Sequence, residues 1–390
     1  MTDQSVERKK IETWRVILTW VMRVLCGGLF VFSGFVKAID PWGTLFKIED
    51  YLAAFGFDMP FALLRLVTFG LCALEFIVGL FLLLGCFRKS CPLFAALLMI
   101  FFLPLSLWIA VENPVPDCGC FGDAWVISNW ATFWKNIVLS AGIAWLIRYN
   151  IFAASLINPY FQWLAVVASG LFVVLIELIG FFYQPLIDFR NYPIGSQLFS
   201  SSLNNYEYGI DVFDVETLDD MNEEAMEADG KELIVMIPKV SMVSPSTTWK
   251  LNSLYEWSQR NQVKMIGIVS GSKEEIDEWE DLSMTAYPIF LADDTTIEEV
   301  IRGNPGILYL DNGIIKWKTT LYSIDIDDFM SPEISQDASS FARDNSLILR
   351  NISLIFIIVM ASLIFISFTP RMVKLMIRGG LASNKGVRHH

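Results

Sequence analysis

The chain has 390 residues, of which 54% are hydrophobic and 18% are charged, whereas soluble domains carry roughly 25% charged residues. This composition excludes a purely soluble protein, and it excludes collagen-like, disordered and disulfide-scaffold chains. The only two histidines, His389 and His390, end the chain and resemble what remains of a purification tag. A Ser-His-Asp hydrolase, a histidine-bound zinc and a histidine-ligated haem are therefore not expected.

The net charge of −13 is unevenly distributed along the chain. Residues 184–350 contain 12 Lys and Arg against 30 Asp and Glu, a net charge of −18, while the remainder carries +5. An acidic, water-soluble domain is thus predicted beside a mildly basic, apolar part. A nucleic-acid partner is not expected, because a polyanion would be repelled.

Six predominantly apolar runs predict membrane helices, because about 20 residues at 1.5 Å each cover the ~30 Å hydrocarbon core of a bilayer. They lie near residues 15–36, 61–85, 91–111, 131–149, 160–183 and 352–369. The first run is long, lacks a small-residue cleavage site and is followed by further spans, so it is not read as a cleaved signal peptide. Acidic and aromatic residues over 39–57 predict an amphipathic helix in the membrane interface.

Lys and Arg in short loops stay in the cytoplasm and so determine orientation. Basic residues precede the first span, separate the second from the third, close the fourth and follow the sixth, whereas 112–130 contain none. Both ends, residues 1–14 and 370–390, are therefore predicted to be cytoplasmic. The loop 112–130 and the acidic domain 184–350 are predicted on the opposite side. In a bacterial inner membrane that side is the periplasm.

Cys118 and Cys120 flank a single glycine in the loop predicted to face the oxidising compartment. A disulfide between them would close a small, strained ring, and strained disulfides are readily reduced. The two thiols are therefore the candidate catalytic pair for electron exchange. A structural turn with packed thiols and a metal-binding pair are the alternatives that position alone leaves open.

The segment around these cysteines, which reads Asn-Pro-Val-Pro-Asp-Cys-Gly-Cys-Phe-Gly-Asp over residues 113–123, resembles the signature of the MauE/DoxX family of redox-associated membrane proteins. Further similar positions are Arg23-Val24-Leu25, Gly28, Phe30, Ser33-Gly34, Lys37, Asp40-Pro41, Leu74-Glu75-Phe76, Gly79, Leu82, Gly85 and Lys135-Asn136. The resemblance implies a four-helix membrane module over residues 15–150. It also implies a link to disulfide formation in periplasmic proteins such as methylamine dehydrogenase, and association with thioredoxin-like partners.

Arg23 and Glu75 are charged residues inside the first and second predicted spans. Their distances from the span ends place both roughly 12–15 Å above the cytoplasmic edge, so they are predicted to pair. Cys26 and Cys72, one turn further along on the same faces, are predicted to meet as a buried thiol pair. Charges in a bilayer are usually functional, but an ion pair can simply lock two helices, and a buried Cys is often a small hydrophobe.

Cys86 and Cys91 flank the short turn that contains Arg88 and Lys89. Neighbouring positive charge lowers the pKa of a thiol, so these two are predicted to be reactive thiols at the cytoplasmic edge. Cysteines at the inner edge, the midplane and the outer loop could relay electrons across the membrane, although nothing in the spacing requires it.

Apolar runs of strand and helix periodicity alternate within residues 184–350. Strands are predicted at 231–240, 263–270, 287–291, 307–310 and 314–318, and helices at 246–260, 273–282 and in a short segment ending at 300. The Asp-Asn-Gly sequence at 311–313 predicts a hairpin turn. This order predicts a thioredoxin-like α/β domain.

Two segments of this domain, 251–255 and 303–313, resemble the TlpA branch of the thioredoxin family. The resemblance implies that Pro305 takes the family's cis-proline position and that the redox Cys-x-x-Cys would fall at Ser241–Ser244, or at the latest by Thr247. No cysteine occurs between 121 and 390, so the domain is predicted to be redox-inert. A peptide-binding role, through Pro305, Ser241 and Ser244, and a purely structural role both stay open.

Three functions are consistent with these observations. The first is a membrane protein of periplasmic thiol redox chemistry, whose acidic domain holds a partner protein. The second is a non-catalytic assembly scaffold. The third is a transporter or a quinone site around Arg23 and Glu75, ranked last because no inverted repeat is visible. No metal site is assigned, since the acidic pairs lack the spacing of a calcium-binding loop. No cofactor other than that quinone is assigned. The oligomeric state is not predicted.

Overall fold

A computed structural model describes residues 3–115, 118–202, 205–225, 230–244, 247–331, 338–341 and 345–386. The chain forms two compact units. A helical unit comprises the chain up to Ala38, Thr44–Ile176 and the segment from Ile348 onward. A sheet unit comprises Ile39–Gly43 and Glu177–Leu347.

Long helices make up the membrane part of the chain. They are α1 (Asp3–Ile39), α2 (Pro41–Ala54), α3 (Phe61–Leu84), α4 (Cys91–Glu112), α5 (Asn129–Tyr149), α6 (Gln162–Phe182) and the last helix, Asn345–Gly386, here α12. Five segments of the described chain are helical, long and apolar enough to cross a bilayer: Thr13–Ile39, Phe61–Leu84, Cys91–Glu112, Pro159–Phe182 and Ser346–Phe368. Five of the six predicted spans are thereby confirmed as such helices, and a lipid bilayer is the environment of this part of the protein.

The remaining predicted span, 131–149, forms helix α5 but does not reach the apolarity of the other five. Lys135, Asn136 and Arg148 lower its mean hydropathy. Asn136 is accommodated by a neighbour, since α5 packs mainly along α4, where Asn136 Nδ2 donates to Ser106 Oγ at 3.0 Å. Arg148 is exposed near the end of the helix. A helix that buries a polar side chain such as Asn136 against protein does not need to be apolar on that face.

Glycines set the contact between α1 and α3. A Cβ atom on Gly34 would lie 2.4 Å from the backbone nitrogen of Phe76, and one on Gly27 would lie 2.8 Å from the carbonyl oxygen of Gly79. The two backbones therefore touch directly, as small residues allow in membrane helices. These contacts fix the relative level of every other residue on the two helices.

Helix α2 confirms the helix predicted between the first two spans, and its interfacial position stays a prediction. Trp42, Leu45 and Phe46 are fully buried in protein, whereas Phe55 and Phe57, just after the helix, are exposed. Its apolar face therefore belongs to the protein core, and its exposed aromatic residues lie at its end.

The sheet unit contains a five-stranded mixed sheet. Its strands are β3 (Lys231–Ile237), β4 (Lys264–Val269), β5 (Ile289–Leu291), β6 (Gly306–Asp311) and β7 (Ile314–Thr320). The spatial order is β5-β4-β3-β6-β7, with β3, β4 and β5 parallel and with β6 antiparallel to both β3 and β7. Helices α8 (Thr248–Arg260), α9 (Lys273–Ser283) and α10 (Asp294–Val300) connect the strands, and α7 (Asn222–Ala225) and α11 (Ile326–Phe329) are single turns.

Both faces of this sheet are covered by apolar side chains. Alternate residues of β3 enter different cores: Leu233, Val235 and Ile237 pack with α8 and α9, while Ile234 and Met236 pack with α10. A continuous apolar run is what a central strand with two buried faces requires. The strands and helices predicted over 231–318 are confirmed, and the turn at Asn312 and Gly313 has the positive φ angles, 52° and 71°, of a tight hairpin.

A small hairpin was missing from the sequence expectations. Strands β1 (Phe199–Ser202) and β2 (Asn205–Tyr208) pair antiparallel. Their sequences, Phe-Ser-Ser-Ser and Asn-Tyr-Glu-Tyr, lack the run of β-branched residues that marks a strand. The pairing is therefore decided by the surrounding fold rather than by local propensity.

Candidate functional site

Cys118 and Cys120 lie in the loop between α4 and α5, and their sulfur atoms are 2.8 Å apart. Both are free thiols, and both are partly exposed. Gly119 between them has a φ of +60°, a left-handed conformation that glycine adopts without steric cost. The single glycine therefore lets the chain turn back sharply enough to bring the two sulfurs together.

The electrostatics of the two thiols differ. A hydrogen bond with the Cys120 thiol lowers the pKa of Cys118 to about 6 despite its burial, helped by the Thr132 hydroxyl, 3.3 Å from the sulfur, and by the positive charge of Lys135. The same hydrogen bond, together with burial, raises the pKa of Cys120 well above its ordinary value. Cys118 is thus the thiolate and Cys120 the proton-bearing partner.

Aromatic and polar contacts hold this loop on the helices. Ser33 Oγ of α1 donates to the carbonyl oxygen of Cys120. Phe121 is buried, with its ring centroid 5.3 Å from that of Phe32, and the Lys135 ammonium lies 4.3 Å from its ring centroid. Gly122 follows with a φ of +51°. The loop therefore packs against the helices in a defined position and does not extend freely into solvent.

A buried ion pair lies deeper between α1 and α3. Lys37 Nζ is 2.8 Å from Glu75 Oε2, and both side chains are less than a tenth exposed. The Lys37 ammonium also lies 5.3 Å from the ring centroid of Phe102 on α4. Sequence reasoning missed Lys37 as a site residue because the first span was predicted to end at 36, whereas α1 continues to Ile39.

The predicted pairing of Arg23 with Glu75 is wrong. Arg23 is fully buried, and its guanidinium donates to Asn150 Oδ1 at 2.7 Å and to the carbonyl oxygen of Ala154 at 2.6 Å. Gly34 faces Phe76 and Gly27 faces Gly79, so Arg23 lies level with Gly85, near the end of α3. Estimating depth from the ends of hydrophobic runs placed the two helices out of register by several residues.

The same register separates Cys26 from Cys72, which were predicted to meet. Cys26 is buried against α5, with its sulfur 3.9 Å from the carbonyl oxygen of Leu139. Cys72, three residues before Glu75, lies near the level of Lys37 on α1. About eleven helical residues, roughly 17 Å along the axis, separate these levels. The two thiols therefore do not form a pair.

Cys86 and Cys91 were predicted to be reactive, and the structure contradicts this for Cys86. Both residues are buried in the helical core. Burial raises the pKa of Cys86 to about 11, although the Ser155 hydroxyl and the charge of Arg23 oppose the rise. The Cys91 sulfur lies 3.4 Å from the carbonyl oxygen of Val78. An electron relay through these thiols stays a prediction.

A cavity of about 110 Å³ joins the thiol pair to the buried ion pair. It lies among helices α1 to α5 and the thiol loop, and its walls are mostly apolar. The polar groups on its lining include Lys37, Glu75, Cys118, Cys120 and Lys135. A small molecule in this cavity would therefore contact the sulfur atoms and the ammonium group together.

Residues 15–149 match the family model of the methylamine utilisation protein MauE. This segment resembles MauE. It contains the two cysteines of the loop, the Lys37–Glu75 pair and every residue that lines the cavity. No curated protein and no solved structure matches the chain.

Outside the MauE-like segment, the residues proposed to bind a partner lie on two neighbouring loops of the sheet unit. Asn304 joins the loops, since its Nδ2 donates to the carbonyl oxygen of Lys239 at 2.7 Å. Ser241 and Ser244 are exposed. Pro305, which follows a cis peptide bond, is buried, and its carbonyl oxygen accepts from the Leu321 N–H at 3.1 Å. Pro305 itself therefore has its carbonyl oxygen engaged within the sheet unit, and binding of a peptide by the loop around it stays a prediction.

Proposed function

We propose that the protein is a MauE-like membrane protein of methylamine utilisation type whose Cys118 and Cys120 exchange thiols and disulfides with a partner protein. The observation that carries the proposal is the 2.8 Å distance between two sulfurs, one of which has a pKa lowered to about 6. A thiolate next to a second thiol is the arrangement that disulfide exchange requires, because the thiolate is the nucleophile.

The exchange has two balanced steps. The Cys118 thiolate attacks a disulfide of the partner, forms a mixed disulfide and releases one partner thiolate. The Cys120 thiol then loses its proton, attacks Cys118 and releases the second partner thiolate, so that the pair is oxidised and the partner is reduced. The reverse sequence oxidises a partner dithiol. Lys135 and Thr132 stabilise the thiolate in either direction.

The charge pattern supports a bacterial inner-membrane location with the thiol loop on the periplasmic side. The turn that contains Arg88 and Lys89 lies at one end of the helical unit, and the loop 112–130 carries no basic residue. In this orientation the dithiol meets the oxidising compartment, where disulfides persist. The acidic sheet unit is then periplasmic, and both chain ends are cytoplasmic.

The sheet unit is proposed to be a thioredoxin-like domain that has lost its redox centre and holds the partner. Its strand order β4-β3-β6-β7, with β3 and β4 parallel and β6 and β7 antiparallel, supports this assignment. The exposed Ser241 and Ser244 occupy the loop where a redox pair would lie. Their hydroxyls cannot exchange disulfides, so binding is the function left to this loop.

Trapping of thiol states tests the proposed function. Membranes are treated with oxidised or reduced glutathione, quenched with acid and labelled with a maleimide polymer that adds mass to each free thiol. We expect two thiols to disappear on oxidation in the native chain and none in the Cys118→Ser variant, with Cys26→Ser as the matched control. A pair that stays fully reduced under every oxidant would exclude thiol exchange.

A non-catalytic assembly scaffold is the second candidate, and the absence of cysteine from residues 121–390 favours it. In that case both units have kept their folds without redox chemistry. Replacing Cys118 and Cys120 together by Ser separates the two functions in vivo. Maturation of the partner protein at the native level by this variant would favour the scaffold.

A further inference from the structure

We infer that the cavity between the thiol pair and the Lys37–Glu75 pair binds the head group of a membrane quinone, which accepts the electrons of Cys118 and Cys120. This inference rests on the proposed thiol exchange, because it supplies the oxidant that would regenerate the disulfide. The proposed ligand belongs to one chemical class, a planar ring that has two carbonyl acceptors and an apolar tail.

The lining of the cavity fits such a ring. Phe30, Phe102 and Phe121 supply aromatic surface, and Leu29, Leu105 and Leu139 supply apolar walls. The cavity lies among helices of the membrane part, so a ligand that dissolves in the bilayer is the class expected there. A water-soluble oxidant would lose hydration in such a site without equivalent hydrogen bonds in return.

Lys37 supplies the hydrogen-bond donor that a quinone carbonyl requires. An ammonium group has three N–H donors, and the contact with Glu75 at 2.8 Å engages one of them. Three lysines, Lys37, Lys47 and Lys135, line the cavity. Among the described residues of the lining, Glu75 is the one carboxylate. This excess of positive charge stabilises the negative charge that develops on a quinone oxygen during reduction.

The electron transfer balances without a further reagent. The Cys118 thiolate and the Cys120 thiol together lose two electrons, the S–H bond of Cys120 breaks and one S–S bond forms. The quinone gains those two electrons and two protons and becomes a hydroquinone. One proton comes from Cys120, and the other is delivered through Lys37, which regains it from water.

Stoichiometric oxidation of the reduced protein tests the inference. The full chain in lipid nanodiscs is reduced with dithiothreitol, desalted and mixed with decylubiquinone, while quinone absorbance and free thiols are followed together. We expect one quinone reduced per chain and two thiols lost. The Cys118→Ser/Cys120→Ser variant serves as the blank.

Variants at the ammonium group test the site itself. Lys37→Met is expected to slow oxidation by decylubiquinone about 100-fold, since a positioned proton donor contributes 10²–10⁴-fold. Oxidation by glutathione disulfide should slow by a much smaller factor, through the charge that Lys37 places near Cys120, and Lys37→Arg should restore most of the quinone rate. Lys89→Met, an exposed lysine outside the cavity, is the matched control for loss of one charge.

A labelling experiment on the native chain keeps the inference testable if Lys37→Met does not fold. An azido-ubiquinone is photolysed with the protein, and the labelled peptides are identified by mass spectrometry. We expect labels within 29–51, 71–75 and 99–139 that excess decylubiquinone removes. Labels confined to other segments would overturn the assignment of the cavity.

The outcomes separate this inference from the proposed function. Oxidation by glutathione disulfide without oxidation by decylubiquinone overturns the quinone site and leaves thiol exchange intact. Equal quinone rates in Lys37→Met and Lys89→Met also overturn it. If neither oxidant forms the Cys118–Cys120 disulfide, the proposed function itself fails.

Discussion

Each unit of the protein contains a buried lysine paired with a carboxylate, and the two pairs differ in their surroundings. In the sheet unit, Lys318 Nζ lies 2.6 Å from Asp188 and also donates to the carbonyl oxygens of Tyr192 and Val300. In the helical unit, Lys37 lies 2.8 Å from Glu75 and borders a cavity. The first ammonium has a protein acceptor for each of its three donors, so its role is structural. The second lines a cavity, which is where a residue that binds a ligand is expected.

The two units also differ in one loop each, which contains two thiols in the helical unit and two hydroxyls in the sheet unit. The loop of the helical unit brings two sulfurs to 2.8 Å, and the corresponding loop proposed for the sheet unit presents Ser241 and Ser244. The core that stabilises the sheet unit lies elsewhere, on the two faces of the sheet, so this fold does not depend on reactive groups in that loop. Reactivity has to be argued from the loop and not from the fold.

The largest expected effect is a contrast between two cysteines of the helical unit. The pKa of Cys118 is lowered to about 6 and that of Cys86 is raised to about 11. At pH 7 the thiolate fraction of Cys86 is then roughly 10⁴-fold smaller. Alkylation by iodoacetamide, followed for each peptide by mass spectrometry, should modify Cys118 with a rate that rises with pH through about 6. Equal rates for both cysteines in the folded protein would contradict the contrast, and equal rates in denaturant are the control.

The next prediction concerns the origin of that lowered pKa. Replacing Cys120 by Ala removes the hydrogen bond that contributes most to it, so the midpoint of Cys118 alkylation should move to higher pH. Thr132→Val should move the midpoint in the same direction by less. Ser140→Ala, which removes a hydroxyl of α5 that donates to its own helix at Asn136, is the control. An unchanged midpoint in Cys120→Ala would assign the low pKa to another cause.

A third prediction compares buried and exposed charge in the sheet unit. Asp188→Asn leaves Arg190 and Lys318 buried without their carboxylate and should reduce the free energy of unfolding by about 3–5 kcal/mol. Glu256→Gln removes an exposed partner of Arg260 and should cost less than about 0.5 kcal/mol. Hydrogen exchange of the β3 and β6 amides against urea concentration measures both. Equal losses would mean that the buried cluster is not structural.

The smallest expected effect tests the contact that sets the helix register. Gly34→Ala places a methyl group against the backbone of α3 and should destabilise the helical unit by about 1–3 kcal/mol. Gly28→Ala, on the same helix, meets no atom within 4 Å and should be neutral or stabilising by about 0.5–1 kcal/mol. The thermal unfolding midpoints in detergent compare the two. A Gly28 variant as unstable as the Gly34 variant would argue against the close approach.

Much of the fold could be predicted from the sequence because its signals are local. Strand β3 is a continuous apolar run, helix α9 begins with a Ser272 capping box, and the Asn312-Gly313 turn carries its own conformational preference. The hairpin of β1 and β2 could not be predicted, since its residues have no strong strand propensity. Helix α5 was predicted as a span from its apolar residues. The sequence does not show that its polar Asn136 is hydrogen-bonded to the neighbouring helix α4.

Some features of the candidate site also follow from the sequence, whereas others follow only from the tertiary structure. The sequence by itself determined that two cysteines flank a glycine between membrane helices and that the second unit has none, because covalent order alone decides both. Only the tertiary structure decided that Lys37 rather than Arg23 meets Glu75, that Cys86 is buried and that a cavity connects the ion pair to the sulfurs. These facts depend on the register between α1 and α3. Direct backbone contact at Gly34 and Gly79 sets that register, and the lengths of the two apolar runs do not encode it.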